Sequence, residues 1–571
     1  MPQAINIIKR SVRAVFALVI LLPVIVFLIR TIEDGWKTIA IAVIPLALAL
    51  RFGSPLFRRV ENLLARVARR RAIAVLLVAF FAFAVSVSLS ISKGVRDPDV
   101  TDEFSYLLAA DTFANGRLTN PPHPMWMYFE TIHVIQQPTY ASKYPPGQGL
   151  ALAAGIIIAG HPIVGVWLSL AMAAAALCWM LMAWMPARWA FAGGLMIVFH
   201  PMFLQWSQSY WGGALAVCGG AIAAGAFRCM MKKQRARDAI LMGAGMAILA
   251  LSRPFEGLIL SMCLGIALLT WMLKRNSMLA SLRQVVLPLG VMVALTLCWT
   301  GFYNWRVTGN PLRMAYSVHE EAYGIAPLFV FQKLRPEPHY NHEAIRNLHT
   351  GWELSNYLDQ QSLVGFLNGL LSKLGSLLEW NFRSLAFLVP LLMLPAALSR
   401  DRWTRFAFIV IFVCVAAIAL ETWLLPHYFS PLVGLFYLIA LQAMRRLRAI
   451  SWRGQRVGRA ITRATLILAI ALLLASWVNW PAVDRSGWNS ERARMIEEMK
   501  RGGERHLIMV RYGPRHLLHQ EWVHNEADID RATVIWARGT KDDGPLMEYF
   551  KDRRVWLLSV DDGRAVLSPY Q

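Results

Sequence analysis

Apolar runs approaching the length of a bilayer crossing recur along this chain from Ala14 to Leu466 and beyond. A helix spans the hydrocarbon with about 20 such residues. No water is present there to bond a free peptide group, so each run is read as an α-helix. Hydrophobic residues fill 56% of the 571 positions and charged residues only 16%, a poor fit to a soluble globule. The net charge of +23 does not mark a nucleic-acid partner. Lys and Arg occur in short clusters between the apolar runs, which is the pattern of membrane topology.

Six such clusters, Lys9–Arg13, Arg58–Arg71, Lys232–Arg237, Lys274–Arg283, Arg400–Arg405 and Arg445–Arg463, are placed together in the cytoplasm. The apolar runs between them then predict about thirteen crossings on a ~20-residue template. Their spans are 14–30, 38–50, 72–91, 162–184, 188–203, 211–230, 239–252, 257–273, 284–302, 384–398, 404–422, 429–443 and 462–480. Leu150–Gly160 is too short to count and is read as a re-entrant or interfacial segment. The first run follows Lys9, Arg10 and Arg13, but Leu28-Ile29-Arg30-Thr31 has no small-residue cleavage site, so it is read as an uncleaved span. The result is a multi-pass protein of the plasma (inner) membrane, with a cytoplasmic N-terminus and an extracytoplasmic C-terminus. All six cysteines lie in or beside apolar segments, so neither a disulfide framework nor a cysteine metal site is expected.

Three polar regions fall outside, at 92–149, 303–383 and 481–571, each too long for a connector. Within the last, His506–Tyr512, Ala532–Ala537 and Arg554–Ser559 are strand-like, and Ser490–Arg501 and Pro545–Phe550 are helical in pattern. Strands separated by that much chain suggest a small α/β layer. The expected fold is therefore an all-α polytopic membrane domain over 1–480, with outer loops 92–149 and 303–383, followed by a small extracytoplasmic α/β domain over 481–571.

Four carboxylates, Asp97, Asp99, Asp102 and Glu103, crowd the start of the first outer region. Capping of a helix that begins at Thr101 or Asp102 accounts for Asp102 and Glu103 but not for Asp97 and Asp99. A carboxylate here is a candidate general base or substrate ligand. Lys143, in Lys143-Tyr-Pro-Pro-Gly147, stands either at the lipid headgroups or as a phosphate ligand. Arg253 breaks two apolar runs on the side where topology favours few basic residues; it either snorkels to lipid phosphate or offers its fork of donors to a phosphate ligand. His427 and Tyr428 form a further polar pair at the outer face. Trp206, Tyr210 and Trp211 read first as an aromatic belt, with sugar stacking as the alternative.

The order of these features resembles the C-type (GT-C) membrane glycosyltransferase superfamily, in the branch of protein O-mannosyltransferases and the lipid A aminoarabinose transferase. It is carried by Asp102-Glu103 opening a helix, Lys143-Tyr-Pro-Pro-Gly147, Ser252-Arg253-Pro254-Phe-Glu256-Gly257, and Tyr303-Asn304 followed by Thr308-Gly309-Asn310-Pro311, over residues 95 to 315, with His427-Tyr428 as an outlier. The resemblance implies an inverting glycosyltransferase that moves a sugar from a polyprenyl-phosphate donor to a hydroxyl on a glycan, lipid or protein acceptor. It makes Asp102 or Glu103 the base and gives the departing phosphate to cationic residues, for which Lys143 and Arg253 are suited; Asp97, Asp99, His427 and Tyr428 stand beside them as further candidate substrate ligands from the residues themselves. No cofactor is required in that branch. The Asp97-Pro98-Asp99 spacing nonetheless leaves a divalent metal open, with Mg or Mn the candidates. The competing readings are a transporter or flippase of lipid-linked saccharides, for which paired halves are expected and not found, and an O-antigen ligase or polymerase-like enzyme. The His516, His519 and His524 group reads as a loose cluster on a polar loop.

Overall fold

The computed structural model describes residues 55–274, 278–382 and 390–570. The expected crossings at 14–30 and 38–50, and the start of the one at 384–398, lie outside the described residues. In chain order the elements that build the site are helices α1 (Arg71–Lys93), α2 (Thr101–Ala114), α3 (Pro146–Ala159), α4 (Pro162–Trp184), α5 (Ala214–Lys232), α6 (Ala236–Ser252), α7 (Pro254–Leu273), α8 (Leu287–Thr308) and α9 (Ala315–Tyr323). After them come α10 (Leu363–Phe382), α11 (Val433–Arg448), α12 (Val457–Val478) and α13 (Trp488–Arg501).

Among the described residues, six helices are long and apolar enough to cross a membrane: Arg71–Lys93, Pro162–Trp184, Ala214–Lys232, Pro254–Leu273, Leu279–Thr308 and Pro426–Arg448. Of the expected crossings, these six form long apolar helices among the described residues. The run at 188–203 divides into Ala187–Val198 and Pro201–Trp206. Pro201 starts a new helix there, and the His200 ring accepts the Met202 N–H at 3.3 Å. The runs at 239–252 and 404–422 form helices of 17 residues, Ala236–Ser252 and Arg402–Ile418. Bulky apolar side chains stay exposed along the long helices, among them Leu76, Phe80, Leu258, Ile266, Leu287 and Leu295. Exposed apolar surface on that scale calls for lipid.

The short segment after Lys143 is α3, a helix of 14 residues folded back on α4. A Cβ on Gly165 would lie 2.1 Å from the carbonyl oxygen of Ala151, so the two backbones touch where only glycine permits it. Basic clusters meet at one end of the helices. Glu61 bridges Arg448 at 2.9 Å and Arg463 at 3.0 Å, and Gln234 reaches Ser281 at 2.8 Å. At the other end, Lys93 donates to the carbonyl oxygen of Val478 at 3.0 Å.

The C-terminal sheet has strand order β4-β3-β5-β6, from β3 (His506–Tyr512), β4 (Val534–Arg538), β5 (Arg554–Asp561) and β6 (Arg564–Pro569). Strands β4 and β5 flank β3 in parallel and β6 runs antiparallel to β5. The three expected strands are present; β6 is the addition, closing an edge after the turn at Asp562-Gly563. The sheet is not separate from the first polar region. Leu108, Tyr128, Phe129, Val134 and Tyr140 share one core with Leu507, Met509, Ile535 and Leu546. Phe104 stacks on His524 with ring centres 4.1 Å apart.

Candidate active site

Helix α2 begins at Thr101 because Val100 is extended, at φ −114° and ψ 149°, and contributes no side-chain cap. Neither Thr101 nor Asp102 is the N-cap, contrary to the sequence expectation. Glu103 reaches back instead: its Oε2 accepts the backbone N–H of Asp99 at 2.8 Å and of Val100 at 3.5 Å. Its Oε1 accepts the Ser209 hydroxyl at 2.7 Å and the Tyr210 N–H at 2.8 Å. Burial raises the Glu103 carboxyl above the usual range, opposed by these hydrogen bonds, the one from Asp99 foremost. All of its accepting directions face inward, toward the chain it ties together.

Asp102 is placed differently. Its side chain is 18% exposed, its Oδ1 accepts the Tyr144 hydroxyl, and its Oδ2 lies 3.7 Å from His133 Nε2. A two-stranded hairpin, β1 (Val134–Ile135) with β2 (Ala141–Ser142), sets both partners. Ser105 on α2 donates to the carbonyl oxygen of His133 at 2.7 Å and shares a hydrogen bond with Ser142, also at 2.7 Å. His133 takes φ +66°, a left-handed conformation uncommon outside glycine. Burial raises the Tyr144 hydroxyl well above its ordinary pKa, with Asp102 and Tyr106 adding to the rise, so the phenol stays a proton donor.

Lys143 is 5% exposed, with Nζ 3.8 Å from Glu320 Oε1 and 5.0 Å from the centre of the Tyr316 ring. Glu320 is shared with Arg335 at 3.3 Å. Pro146 opens α3 immediately after this pair. A Cβ on Gly147 would lie 2.6 Å from the carbonyl oxygen of Leu251, so α3 seats directly on the end of α6. That contact brings Lys143-Tyr-Pro-Pro-Gly147 to Ser252-Arg253-Pro254. Arg253 joins α6 to α7, with its guanidinium 4.6 Å from the Tyr428 ring centre and Nη1 3.6 Å from Glu256 Oε1. Tyr106 stacks on Tyr144 at 4.6 Å. Burial raises the pKa of its hydroxyl; Arg253 opposes the rise while Asp102 and Glu256 add to it, which puts three charges within reach of one phenol.

Four sequence candidates, Asp102, Lys143, Arg253 and Tyr428, therefore surround one place. The others lie elsewhere. Asp97 accepts the Ser490 hydroxyl at 2.9 Å, fastening α13 to the membrane domain, and Asp99 is exposed. His427 is buried against Trp211 with ring centres 4.6 Å apart. Among the described residues, no group of three or more His, Cys, Asp or Glu side chains is placed to hold a metal ion. The Asp97-Pro98-Asp99 pair does not assemble such a group. His516 packs on Tyr512, His519 on Trp352 and His524 on Phe104.

Several residues of the site carried no signal as such. Tyr144 and Glu256 sit inside motifs singled out for their neighbours. His133, Tyr316, His319 and Glu320 lie in polar stretches without periodic pattern, where only spatial proximity identifies them.

Taken together, fold and site define a predominantly α-helical, polytopic membrane-type protein with a small C-terminal β-sheet. No protein-family model matches the chain, and no curated protein does. Solved structures similar to it include ArnT from Cupriavidus metallidurans in the apo state, at 14% identity and TM-score 0.48, covering 85% of this chain and 93% of that one. The archaeal oligosaccharyltransferase AglB from Archaeoglobus fulgidus is similar at 14% identity and TM-score 0.45, covering 85% and 69%. The arabinofuranosyltransferase AftD from Mycobacteria is similar at 14% identity and TM-score 0.40, covering 86% and 36%. Each likeness is one of overall chain path.

Proposed function

We propose that this chain is a membrane glycosyltransferase that moves a sugar from a polyprenyl-phosphate donor to an acceptor hydroxyl at the extracytoplasmic face, with inversion. The observation that carries the reading is the meeting, around Tyr106 and Tyr144, of the carboxylate of Asp102 with the cations Lys143 and Arg253, drawn from three separate segments, with Lys143 buried and the other two equally half-buried. Asp102 takes the proton of the acceptor hydroxyl as its oxygen attacks the anomeric carbon. The bond from that carbon to the phosphate oxygen breaks on the opposite face, and the polyprenyl phosphate departs with one more negative charge. Lys143 and Arg253 are suited to neutralise that charge, and a buried setting strengthens the effect. Tyr144 holds Asp102 in place through its hydroxyl. The geometry favours Asp102 over Glu103 as base, because Glu103 spends both oxygens on backbone and Ser209.

The reading is tested by incubating the purified protein with radiolabelled polyprenyl-phosphate sugars and membrane extract. Lys143→Ala and Arg253→Ala are each expected to slow transfer by ~10²–10³, the loss typical of one group that stabilises developing charge, with expression near normal. Wild-type rates in both would return these cations to the lipid headgroups. Sidedness has its own test: single cysteines near Thr119, Asn341 and Asp528 should label from outside, and ones near Arg235 and Arg453 from inside. Labelling near Asp528 from the cytoplasm would overturn the assigned face.

A further inference from the structure

Three imidazoles lie in a row beside Asp102. His133 precedes β1, His319 is on α9, and His349 is on the wide helical turn Leu348–Glu353. Ring centres are 6.0 Å apart from His133 to His319 and 6.0 Å from His319 to His349. His319 is 1% exposed and neither of its ring nitrogens has a hydrogen-bond partner. His349, equally buried, commits Nδ1 to Glu353 at 2.6 Å and leaves Nε2 without one; His133 leaves Nδ1 without one. Buried polar atoms are ordinarily paired, and an orphan leaves its desolvation uncompensated. Orphans on three neighbouring rings mark a place for a hydrogen-bonding ligand.

The chemistry of that ligand follows from what the row offers. Apart from Asp102, the nearby carboxylates are engaged: Glu353 with His349, Glu320 with Arg335 and Lys143 and 3.6 Å from His319 Nδ1, and Glu130 with the Tyr323 hydroxyl and Asn341, both at 2.8 Å. Burial, reinforced by Lys143, holds His133 and His319 well below the usual imidazole pKa, so both rings are neutral. A neutral imidazole presents one donor and one acceptor, which is the complement of a hydroxyl. A hydroxyl oxygen bonded at ~2.8 Å to a nitrogen on each side, with the two bonds near the tetrahedral angle, bridges about 4.6 Å, a span that nitrogens on rings with centres 6.0 Å apart can supply. Tyr323, stacked on His349 at 6.1 Å, gives the row an aromatic wall.

We propose that His133, His319 and His349 form the subsite that reads the hydroxyls of a neutral sugar carried by the lipid donor. The inference rests on the donor reading above and adds the class of sugar. An ammonium-bearing sugar would meet Lys143, and the carboxylate left open beside the row, Asp102 at 3.7 Å from His133, is the base of the reading above.

The test measures binding of three probes to the purified protein: polyprenyl phosphate alone, the same carrier bearing a neutral hexose, and the carrier bearing an amino sugar. The neutral hexose is expected to tighten binding about tenfold over the bare carrier, the worth of one good hydrogen bond, and the amino sugar is expected not to. His319→Phe and His349→Phe should remove that increment while leaving bare-carrier affinity in place. His319→Gln, which keeps a donor and an acceptor, should retain part of it. An unchanged increment in both Phe variants overturns the subsite, as does a wild-type protein that binds the amino sugar as tightly as the hexose. A wild-type protein that does not bind the bare carrier overturns the donor reading instead. Should a Phe variant fail to fold, the increments of His319→Gln and His349→Gln decide in the same way: both at wild-type values overturn the subsite, and a loss in either supports it.

Discussion

Asp102→Asn is expected to lose ~10²–10⁴ in transfer rate, the usual loss when a general base is removed, with little change in unfolding temperature. The amide keeps the shape of the carboxylate, and its oxygen still accepts the Tyr144 hydroxyl. What disappears is the capacity to take a proton. Asp102 is inside the first turn of α2 rather than at its cap, so the helix start survives and the lost dipole interaction is worth only ~0.3–1 kcal/mol. Glu103→Gln is the informative partner. Its carboxylate accepts two backbone N–H groups at 2.8 Å and the Ser209 hydroxyl, and an amide puts a donor where an acceptor is required. That variant should lower thermal stability by ~1–3 kcal/mol, with a smaller loss of rate per folded molecule. Sugar transfer and melting, measured on both, separate the roles. Full activity in Asp102→Asn would remove it as base.

Glu521→Ala should cost about 3–5 kcal/mol of local stability, because it leaves a buried charge uncompensated. Arg538 and Glu521 form an ion pair with side chains 2% and 1% exposed. The same carboxylate accepts the Tyr512 hydroxyl at 2.5 Å and the Val523 N–H at 2.8 Å, so its removal strands three donors. The damage should extend beyond the sheet. Arg538 Nε donates to the carbonyl oxygen of Glu130 at 2.6 Å, and Glu130 holds Asn341 and Tyr323, the latter bordering the histidine row. Trp522 and Trp536 are each 1% exposed in this core but are two of 22 tryptophans, so melting in detergent followed by hydrogen exchange at the amides of β3 and β4 reports the change. An unaltered melting curve would show that the sheet does not depend on this pair.

The site was partly legible. Asp102, Lys143 and Arg253 stand out in the chain because charge beside an apolar run is conspicuous, and the Pro-Pro-Gly sequence after Tyr144 announces a helix start. The choice between Asp102 and Glu103 was not legible. Two adjacent carboxylates at one helix start are alike in sequence, and they differ only because Ser209 and Tyr210 come to lie against one of them. His427 and Tyr428 are likewise neighbours in the chain, yet one packs on Trp211 and the other faces Arg253. The histidine row left no trace at all, since its members are separated by long stretches of chain and share no period.

Hydropathy alone announces a helical membrane protein, because a long apolar run in lipid has no other way to satisfy its backbone. Alternation and turn residues likewise mark β3, β4 and β5, where local propensity and burial agree. Where such a run breaks is another matter. The division at His200-Pro201, the folding of α3 onto α4 through Gly165, and the sharing of a core between the C-terminal sheet and residues 108–140 all depend on neighbours remote in the chain. The same holds for the active constellation. Charge and hydropathy are local properties and can be read in order, whereas the meeting of Asp102, Lys143, Arg253 and three histidines is a matter of close packing between segments, which no single stretch of residues encodes.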